Sequence, residues 1–251
     1  MKKFLLLAAY ALGVLVVSAQ MVESGNNFGN EISKGWNTVY LQYNNIGCSH
    51  DRINYDRLIG WAPKESLNGV TLGFNHAFNI VRSQPLYIET GVGLQMAFYS
   101  DRHVFNGIED YGVSDPNVEE KVTGHLLSAK IPVNIIYRYR IPNTEFSIEP
   151  LVGLGCRLNI MGKVKVAHET WYDHEDVSRG GNPVEANIFD EKETGSIKKA
   201  AGHFQIGWHV GANVGYKQVY LGFQYGQDFN KCIDYQNLKL KTTTILLGYR
   251  F

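Results

Sequence analysis

The most charged stretch of the sequence, residues 167–193, combines imidazoles and carboxylates that could bind a cation. Its ionisable side chains are His168, Glu169, Asp173, His174, Glu175, Asp176, Glu185, Asp190, Glu191 and Glu193. Carboxylate oxygens suit Ca²⁺ and imidazole nitrogens suit Zn²⁺. The spacing matches neither an EF-hand loop nor the H-x-x-x-H pair of a zinc protease, since the nearest run reads HETWYDH. A solvated surface loop explains these charges better, so we predict no metal site and leave cation binding by this stretch open.

The other histidines do not form a catalytic group with a nucleophile. A nucleophile, a base and an orienting residue must face one another. His125 and Ser128 are close in sequence but differ in parity, so on a strand they face opposite sides. His209 has no Ser or Cys neighbour on its face, and no G-x-S-x-G motif occurs. We therefore predict no catalytic residue, no cofactor and no enzymatic activity.

The elements that position these residues are predicted to be β-strands. In HFQIGWHVGANVGY large apolar residues alternate with Gly, Asn, Gln and His, so one face of the strand is apolar and the other small or polar. Similar alternation occurs in WNTVYLQYN, GVTLGFNHAFNI, LYIETGVGLQMAFY, LSAKIPVNIIYRYR, EFSIEPLVGLGCRLNI, QVYLGFQYG and TTILLGYRF. We predict about eight strands, several of them long enough to cross a bilayer at a tilt.

The glycine-rich face indicates which side of each strand points inward. A soluble barrel would expose charges, whereas a narrow barrel interior accepts Gly, Asn and Ser with a few paired charges. The apolar face is therefore predicted to contact lipid. Connections alternate between short and long, in the order 45–66, 81–85, 99–123, 141–145, 163–201, 215–218 and 228–239. This order is typical of a closed antiparallel up-and-down transmembrane β-barrel with both termini on the periplasmic side.

The N-terminal residues have the composition of a secretory signal peptide. Lys2 and Lys3 precede an apolar run that ends in VSAQ, a small-residue cleavage site. We predict a signal peptide at 1–19, a periplasmic segment at 20–34 and an outer-membrane barrel at 35–251. The formal net charge of +0 gives no reason to expect nucleic acid as a partner.

Charged residues on the inward face are predicted to form a network that fills the lumen, because unpaired buried charges are costly. The network comprises Glu89, Lys130, Arg138, Arg140, Glu149, Arg157 and Arg250. An ion or proton path is the alternative. It is disfavoured because the interior of an eight-stranded barrel is only wide enough for its own side chains.

Two prolines and two cysteines carry further predictions. Pro132 and Pro150 lie within strands and are predicted to form bulges, because proline removes a ladder donor. Cys48 and Cys232 lie in the first and last long connections, which are neighbours once the barrel closes. In an oxidising compartment they could form a disulfide, and two unrelated thiols are the alternative. Cys156 falls on the lipid face and is predicted to be a small hydrophobic side chain.

Several motifs together resemble the PorT-like group of small outer-membrane β-barrel proteins of Bacteroidota. The resemblance rests on LYIETGVGLQ, KIPVNIIYRYRI, EPLVGLG, YLGFQYGQDFN and the closing LGYRF, and it covers nearly the whole chain after residue 19. It implies that Tyr249 and Phe251 form an insertion signal read by the barrel assembly machinery. It also implies contact with outer-membrane lipid. A few members of the group serve protein secretion.

The function expected from these features is that of a non-enzymatic outer-membrane barrel. Its long extracellular loops would serve surface adhesion or contact with a ligand or partner. A component of an envelope machine, for secretion or assembly, is the first alternative. An outer-membrane enzyme that uses loop carboxylates and histidines is the second.

Overall fold

The computed structural model describes residues 33–48, 67–105, 109–110, 113–114, 117–172, 175–180, 183–189, 202–232 and 239–251. The regular elements in these residues are β1 (Gly35–Cys48), β2 (Leu67–Asn79), β3 (Leu86–Phe105), β4 (Glu109–Asp110), β5 (Val113–Ser114), β6 (Asn117–Tyr137), β7 (Tyr139–Arg140), β8 (Phe146–Tyr172), β9 (Glu175–Gly180), β10 (Val184–Asn187), β11 (Phe204–Tyr216), β12 (Val219–Asp228) and β13 (Leu240–Arg250). These ranges contain no helix long and apolar enough to cross a membrane. The predicted signal peptide lies outside the described residues.

Eight of the described strands form the closed wall of a barrel. They are β1, β2, β3, β6, β8, β11, β12 and β13, and each pairs antiparallel with the next. β13 returns to β1, with register pairs that run from Thr38–Arg250 to Cys48–Leu240. The predicted closed antiparallel up-and-down barrel is confirmed, and the closure leaves no strand edge unpaired in the wall.

The two ends of the barrel differ in their connections. The turn end carries the connections 80–85, 141–145 and 217–218, together with Gly35 and Phe251. The opposite end carries the long connections, and we call it the projecting end. Every wall strand runs from one end of the barrel to the other. Each residue therefore has a height, which is its position along the barrel axis between the turn end and the projecting end.

Alternation along the strands separates an apolar outside from a polar inside. Val92 is 60% exposed and Leu221 is 58% exposed on the outer face, whereas Thr38, Asn44 and Gln95 are fully buried inside. This is the predicted arrangement, with large apolar side chains outward and small or polar ones inward. The interior is too narrow for water to solvate a charged group freely, so its polar groups must find partners on other strands.

Three strands continue well beyond the length that a bilayer requires. β3, β6 and β8 have 20, 21 and 27 residues, whereas β12 has 10. They stay paired outside the barrel wall, up to Phe105–Val118 between β3 and β6 and Asn117–Trp171 between β6 and β8. We call residues 98–105, 117–126 and 161–172 of these strands the projecting sheet. β9 and β10 add to its β8 edge.

The projecting sheet corrects the predicted connections at 99–123 and 163–201. Much of both ranges is strand, because backbone pairing continues after the apolar alternation has ended. Lys163, Lys165 and Lys121 occupy outward positions there. The prediction relied on large apolar side chains facing outward, and this signal stops where the strands leave the hydrocarbon.

The interior changes character at the projecting end. There the inward positions form a buried apolar cluster, the plug, which comprises Ile46, Leu67, Ala97, Tyr99, Val122, Val164, Ile188, Cys232 and Leu240. Leu126 and Phe189 pack against it. The inward face is therefore polar over most of the barrel and apolar at this end, whereas the sequence pattern predicted a small or polar face throughout.

The prediction of bulges at Pro132 and Pro150 is wrong. The β3–β6 register is the same on both sides of Pro132, and the β8–β11 register runs through Pro150 without a shift. The register shift between β6 and β8 lies at Leu127–Ser128. Each proline instead lies where the pairing with one of its two neighbouring strands is interrupted, because the proline nitrogen has no proton to donate to a backbone hydrogen bond. At Pro132 the Thr90 hydroxyl donates to the proline carbonyl oxygen over 3.0 Å.

Candidate functional site

A carboxylate and two guanidinium groups form an ion cluster in the lumen near the turn end. Glu149 of β8 is fully buried and pairs with Arg250 of β13, whose Nη1 donates to Oε1 over 2.7 Å. Arg138, between β6 and β7, places its Nε 3.0 Å from the same oxygen. The Ser147 hydroxyl donates to Oε1 over 3.1 Å. One carboxylate thus holds two cations from strands on opposite sides of β8.

Aromatic rings cover these guanidinium groups and narrow the lumen. Arg138 and Arg250 lie 5.0 and 5.1 Å from the centre of the Trp36 ring, and Arg250 lies 4.2 Å from the Tyr220 ring centre. Such contacts stabilise a cation when water is excluded. A Cβ atom on Gly248 would overlap the Tyr220 ring, so glycine is needed there to admit the ring.

Amides hold a second carboxylate in the middle of the lumen. Glu89 Oε1 accepts hydrogen bonds from the amide nitrogens of Asn75 over 3.0 Å and Asn134 over 2.9 Å. The Asn134 amide oxygen lies 2.6 Å from His209 Nε2. Because that oxygen can only accept, His209 carries a proton on Nε2 and donates it. The result is a polar chain across four wall strands, and none of its members is a Ser, Thr or Cys.

A third group lies closer to the projecting end. Arg157 Nη2 donates to Asp228 Oδ2 over 2.6 Å. Lys130 Nζ lies 3.5 Å from Gln42 Oε1 and 3.4 Å from Asn44 Oδ1, so amide oxygens rather than a carboxylate are its partners. Asp228 was not among the predicted residues because it fell in the expected connection 228–239. Asp228 has the inward parity of Gly222, Gln224 and Gly226 in QVYLGFQYG, and this parity was the available signal.

The predicted network residues therefore fall into three groups, and one residue stands apart. Glu149, Arg138 and Arg250 are brought together, Glu89 is held by amides, and Arg157 pairs with a residue outside the predicted set. Arg140 is exposed on β7 at the turn end, and none of the ion pairs found in the described part of the chain includes it. Its parity is inward, but it lies where the lumen has already opened to the surroundings.

A cavity of about 100 Å³ lies between the charged groups. Its lining includes Tyr40, Glu89, Lys130, His209 and Asp228. A space of this size holds a few water molecules at most. In the described residues no three His, Cys, Asp or Glu side chains lie together as a metal site requires. Most of the ionisable side chains of 167–193 lie outside those residues, so cation binding there is untested.

The seam between β1 and β13 contains the remaining predicted residues. Phe251 exchanges two backbone hydrogen bonds of 3.0 Å with Asn37, and its ring centre lies 6.4 Å from that of Phe74. Tyr249 faces outward and donates its hydroxyl proton to Gln218 Oε1 over 2.8 Å. The last residue of the chain therefore takes part in closing the barrel wall. Whether it acts as an insertion signal stays a prediction.

The predicted disulfide cannot be decided from the described side chains. Cys48 is the last residue of β1, paired in register with Leu240, and not part of a loop. Cys232 is buried in the plug. The side chain of Cys48 lies outside the described residues, so the bridge stays a prediction. Cys156 is half-buried on the outer face.

A closed antiparallel wall, an apolar outer face and a polar, hydrogen-bonded lumen define the class of transmembrane β-barrels. No protein-family model matches the sequence, and no curated protein is similar to it. Membership of the PorT-like group therefore stays a prediction.

Solved structures of small barrels are similar to this chain at a low level. The attachment invasion locus protein Ail of Yersinia pestis is 14% identical, with a TM-score of 0.37 over 87% of this chain and 100% of its own. The N-terminal β-barrel domain of Pseudomonas aeruginosa OprF is 9% identical, with a TM-score of 0.31 over 86% of this chain and 99% of its own. Scores and identities this low transfer neither function nor partners.

Proposed function

We propose that the protein is a non-enzymatic outer-membrane barrel with a closed lumen, which holds the projecting sheet outside the cell for contact with a ligand or partner. Two features found together in this chain give the strongest support. The lumen is filled by buried ion pairs and rings, and three wall strands continue as a paired sheet beyond the apolar belt. The barrel then anchors the protein in the membrane, and the projecting sheet contacts the ligand or partner.

The outer face supports a location in a membrane. An apolar surface that surrounds the whole barrel would cause aggregation in water, whereas it suits contact with lipid chains. A barrel wall with every strand paired meets the requirement that backbone groups in lipid bond to one another. The predicted signal peptide supports export, and an exported chain reaches the outer membrane from the periplasm. Both ends of the barrel sequence lie at the turn end, so we assign that end to the periplasm.

The lumen supports a closed barrel and not a pore. Glu149 binds two guanidinium groups, and the rings of Trp36 and Tyr220 cover them. Moving an ion past this layer would require breaking a buried ion pair, which costs several kcal/mol. We therefore expect purified protein in a planar bilayer to show no steady pore-sized conductance. A stable conductance from the folded, heat-modifiable protein would contradict the closed lumen.

The orientation can be tested with an epitope tag placed at either end. One variant carries the tag between residues 111 and 112, and the matched control carries it between Asn143 and Thr144 in a short turn. On intact cells we expect an antibody to bind the first variant and not the second. The reverse result would place the projecting sheet in the periplasm, and it would favour the envelope-machine alternative.

A further inference from the structure

The outward face of the projecting sheet changes from apolar to basic within one row of residues. Register pairing places Met96, Leu127 and Met161 in one row across β3, β6 and β8. This is the last row of the apolar belt toward the projecting end. Residues directly opposite each other on paired strands share a face, so the next rows continue the same outer surface.

Basic side chains occupy those next rows. His125 and Lys163 are register partners, and Lys165 and Lys121 follow on the same face. All four side chains are exposed. We call these four residues the basic patch. The ring of Phe98 on β3 packs edge-on against His125 at 5.5 Å between ring centres, so the patch begins directly on the apolar belt.

The height of the patch corresponds to that of lipid headgroups. Rows on one face are about 7 Å apart along a strand, and a tilt of about 45° reduces this to about 5 Å along the membrane normal. A headgroup layer is about 5–7 Å thick beyond the hydrocarbon. Lys163, one row above Met161, therefore lies within that layer. Lys165, two rows or about 10 Å above Met161, lies beyond the layer, and its long side chain can extend back toward it.

The charge of the patch is not neutralised by the described side chains around it. Glu185 of β10 is the register partner of Lys165 and is the one carboxylate on this face with a described side chain. No ion pair involving Lys121, Lys163 or Lys165 is found within the described part of the chain. At the turn end, by contrast, Lys217 pairs with Glu145 at 3.2 Å. Among the side chains that the structure describes on this face, three lysines against one carboxylate leave an excess of positive charge beside the lipid.

We propose that the basic patch binds the phosphate groups of lipid headgroups in the leaflet that surrounds the projecting end. The ligand class is a membrane lipid whose phosphate lies at the hydrocarbon boundary, with its chains against the apolar belt below. Lys163 contacts the phosphate first, and Lys165 and Lys121 add attraction from above. This inference rests on the proposed membrane location.

The test compares phosphatidic acid with phosphatidylcholine in nanodiscs that contain the full-length protein. Spin-labelled forms of both lipids report the fraction held at the protein surface. We expect a preference for phosphatidic acid that falls about fivefold for Lys163→Gln, since about 1 kcal/mol for a lysine near the surface corresponds to that factor, and by less for Lys165→Gln and Lys121→Gln, which lie farther from the phosphate. Raised salt should weaken the preference, because the patch is exposed.

Matched controls separate this site from general charge effects. Lys217→Gln removes a lysine at the turn end, where it pairs with Glu145. This control should keep the preference, and the triple Lys→Arg variant of the patch should keep it as well. Equal retention of the two lipids by the native protein, or an equal loss in the Lys217→Gln control, would overturn the proposal.

Free inorganic phosphate is the alternative ligand that the basic patch could bind. Millimolar inorganic phosphate should leave the lipid preference unchanged at constant ionic strength, and its displacement of phosphatidic acid would overturn the proposal of a lipid site. Heat-modifiability on a gel measures insertion separately. A barrel that inserts normally without lipid preference contradicts only this inference, whereas a protein that never inserts contradicts the proposed function.

Discussion

The two ends of the barrel interior are filled by different kinds of side chain. At the turn end, Glu149 holds Arg138 and Arg250, and aromatic rings cover the cations. At the projecting end, the plug around Ile46 and Val122 is apolar. Both ends are closed. The turn end is closed by a few strong, directional contacts and the projecting end by many weak, non-directional ones.

This difference predicts how each end responds to the loss of one group. A buried ion cluster is sensitive to the removal of a single partner, because the remaining charge is left without compensation. An apolar cluster loses transfer free energy and gains a cavity, and both quantities scale with the atoms removed. Substitutions at matched depths should therefore show a larger effect at the turn end.

The largest effect is expected for Glu149→Gln. The change keeps the shape of the side chain but leaves Arg138 and Arg250 buried without a carboxylate, which should lower the free energy of unfolding by about 3–5 kcal/mol. Urea unfolding of the barrel in lipid vesicles, followed by tryptophan fluorescence, would measure it. Glu145→Gln makes the same chemical change at an exposed side chain of the turn end and serves as the comparison. A loss below about 1 kcal/mol for Glu149→Gln would show that the cluster is not what closes this end.

A smaller effect is expected for Ile46→Ala in the plug. Ile46 is 1% exposed, and truncating a buried isoleucine to alanine costs about 2–4 kcal/mol. The same unfolding experiment applies, and Ile46→Val should cost about 1 kcal/mol. If Ile46→Ala is as costly as Glu149→Gln, the contrast between the two ends is lost.

Deletion of Phe251 tests the seam at the turn end. It removes two backbone hydrogen bonds to Asn37, worth about 1 kcal/mol each, and it leaves part of β1 unpaired. We expect a lower yield of heat-modifiable barrel in the outer membrane. Phe251→Leu keeps the backbone bonds and removes the ring. If Phe251→Leu inserts normally and the deletion does not, insertion depends on the backbone bonds that close the wall. If both variants fail to insert, insertion depends on the terminal aromatic ring.

The smallest effect is expected at the surface of the turn end. Lys217 and Glu145 form an ion pair in which both side chains are well exposed, 51% and 40%. A hydrogen bond to Glu145 raises the pKa of Lys217. Screening by water should make Glu145→Gln neutral in the unfolding experiment. A clear loss would mean that exposed pairs contribute to this barrel as buried ones do.

Much of the wall could be predicted because it depends on a local pattern. Alternation in TTILLGYRF or HFQIGWHVGANVGY reports directly which side chains face lipid. The projecting sheet was missed because Lys163 and Lys165 replace apolar residues where the strand leaves the hydrocarbon. The plug was missed because residues such as Ile46 and Val122 have the parity of the lumen, and parity alone does not give height in the barrel.

The lumen groups depend on strands that are far apart in sequence. Parity identified Glu149 and Arg250 as inward, but their contact joins β8 to β13 across 101 positions of the chain. Asp228 as the partner of Arg157 depends equally on the register of β12. Which side chains meet across the lumen depends on how far neighbouring strands are shifted relative to one another around the closed wall. The sequence of a single strand does not specify this shift.

The sequence by itself determined the class of fold and the inward and outward faces of the wall strands, because these follow from a period of two and from composition. The tertiary structure decided which charges meet, where polar gives way to apolar inside, and which strands continue beyond the belt. Those features depend on strand stagger and on height along the barrel axis. Both are properties of the closed assembly of strands and not of any segment alone.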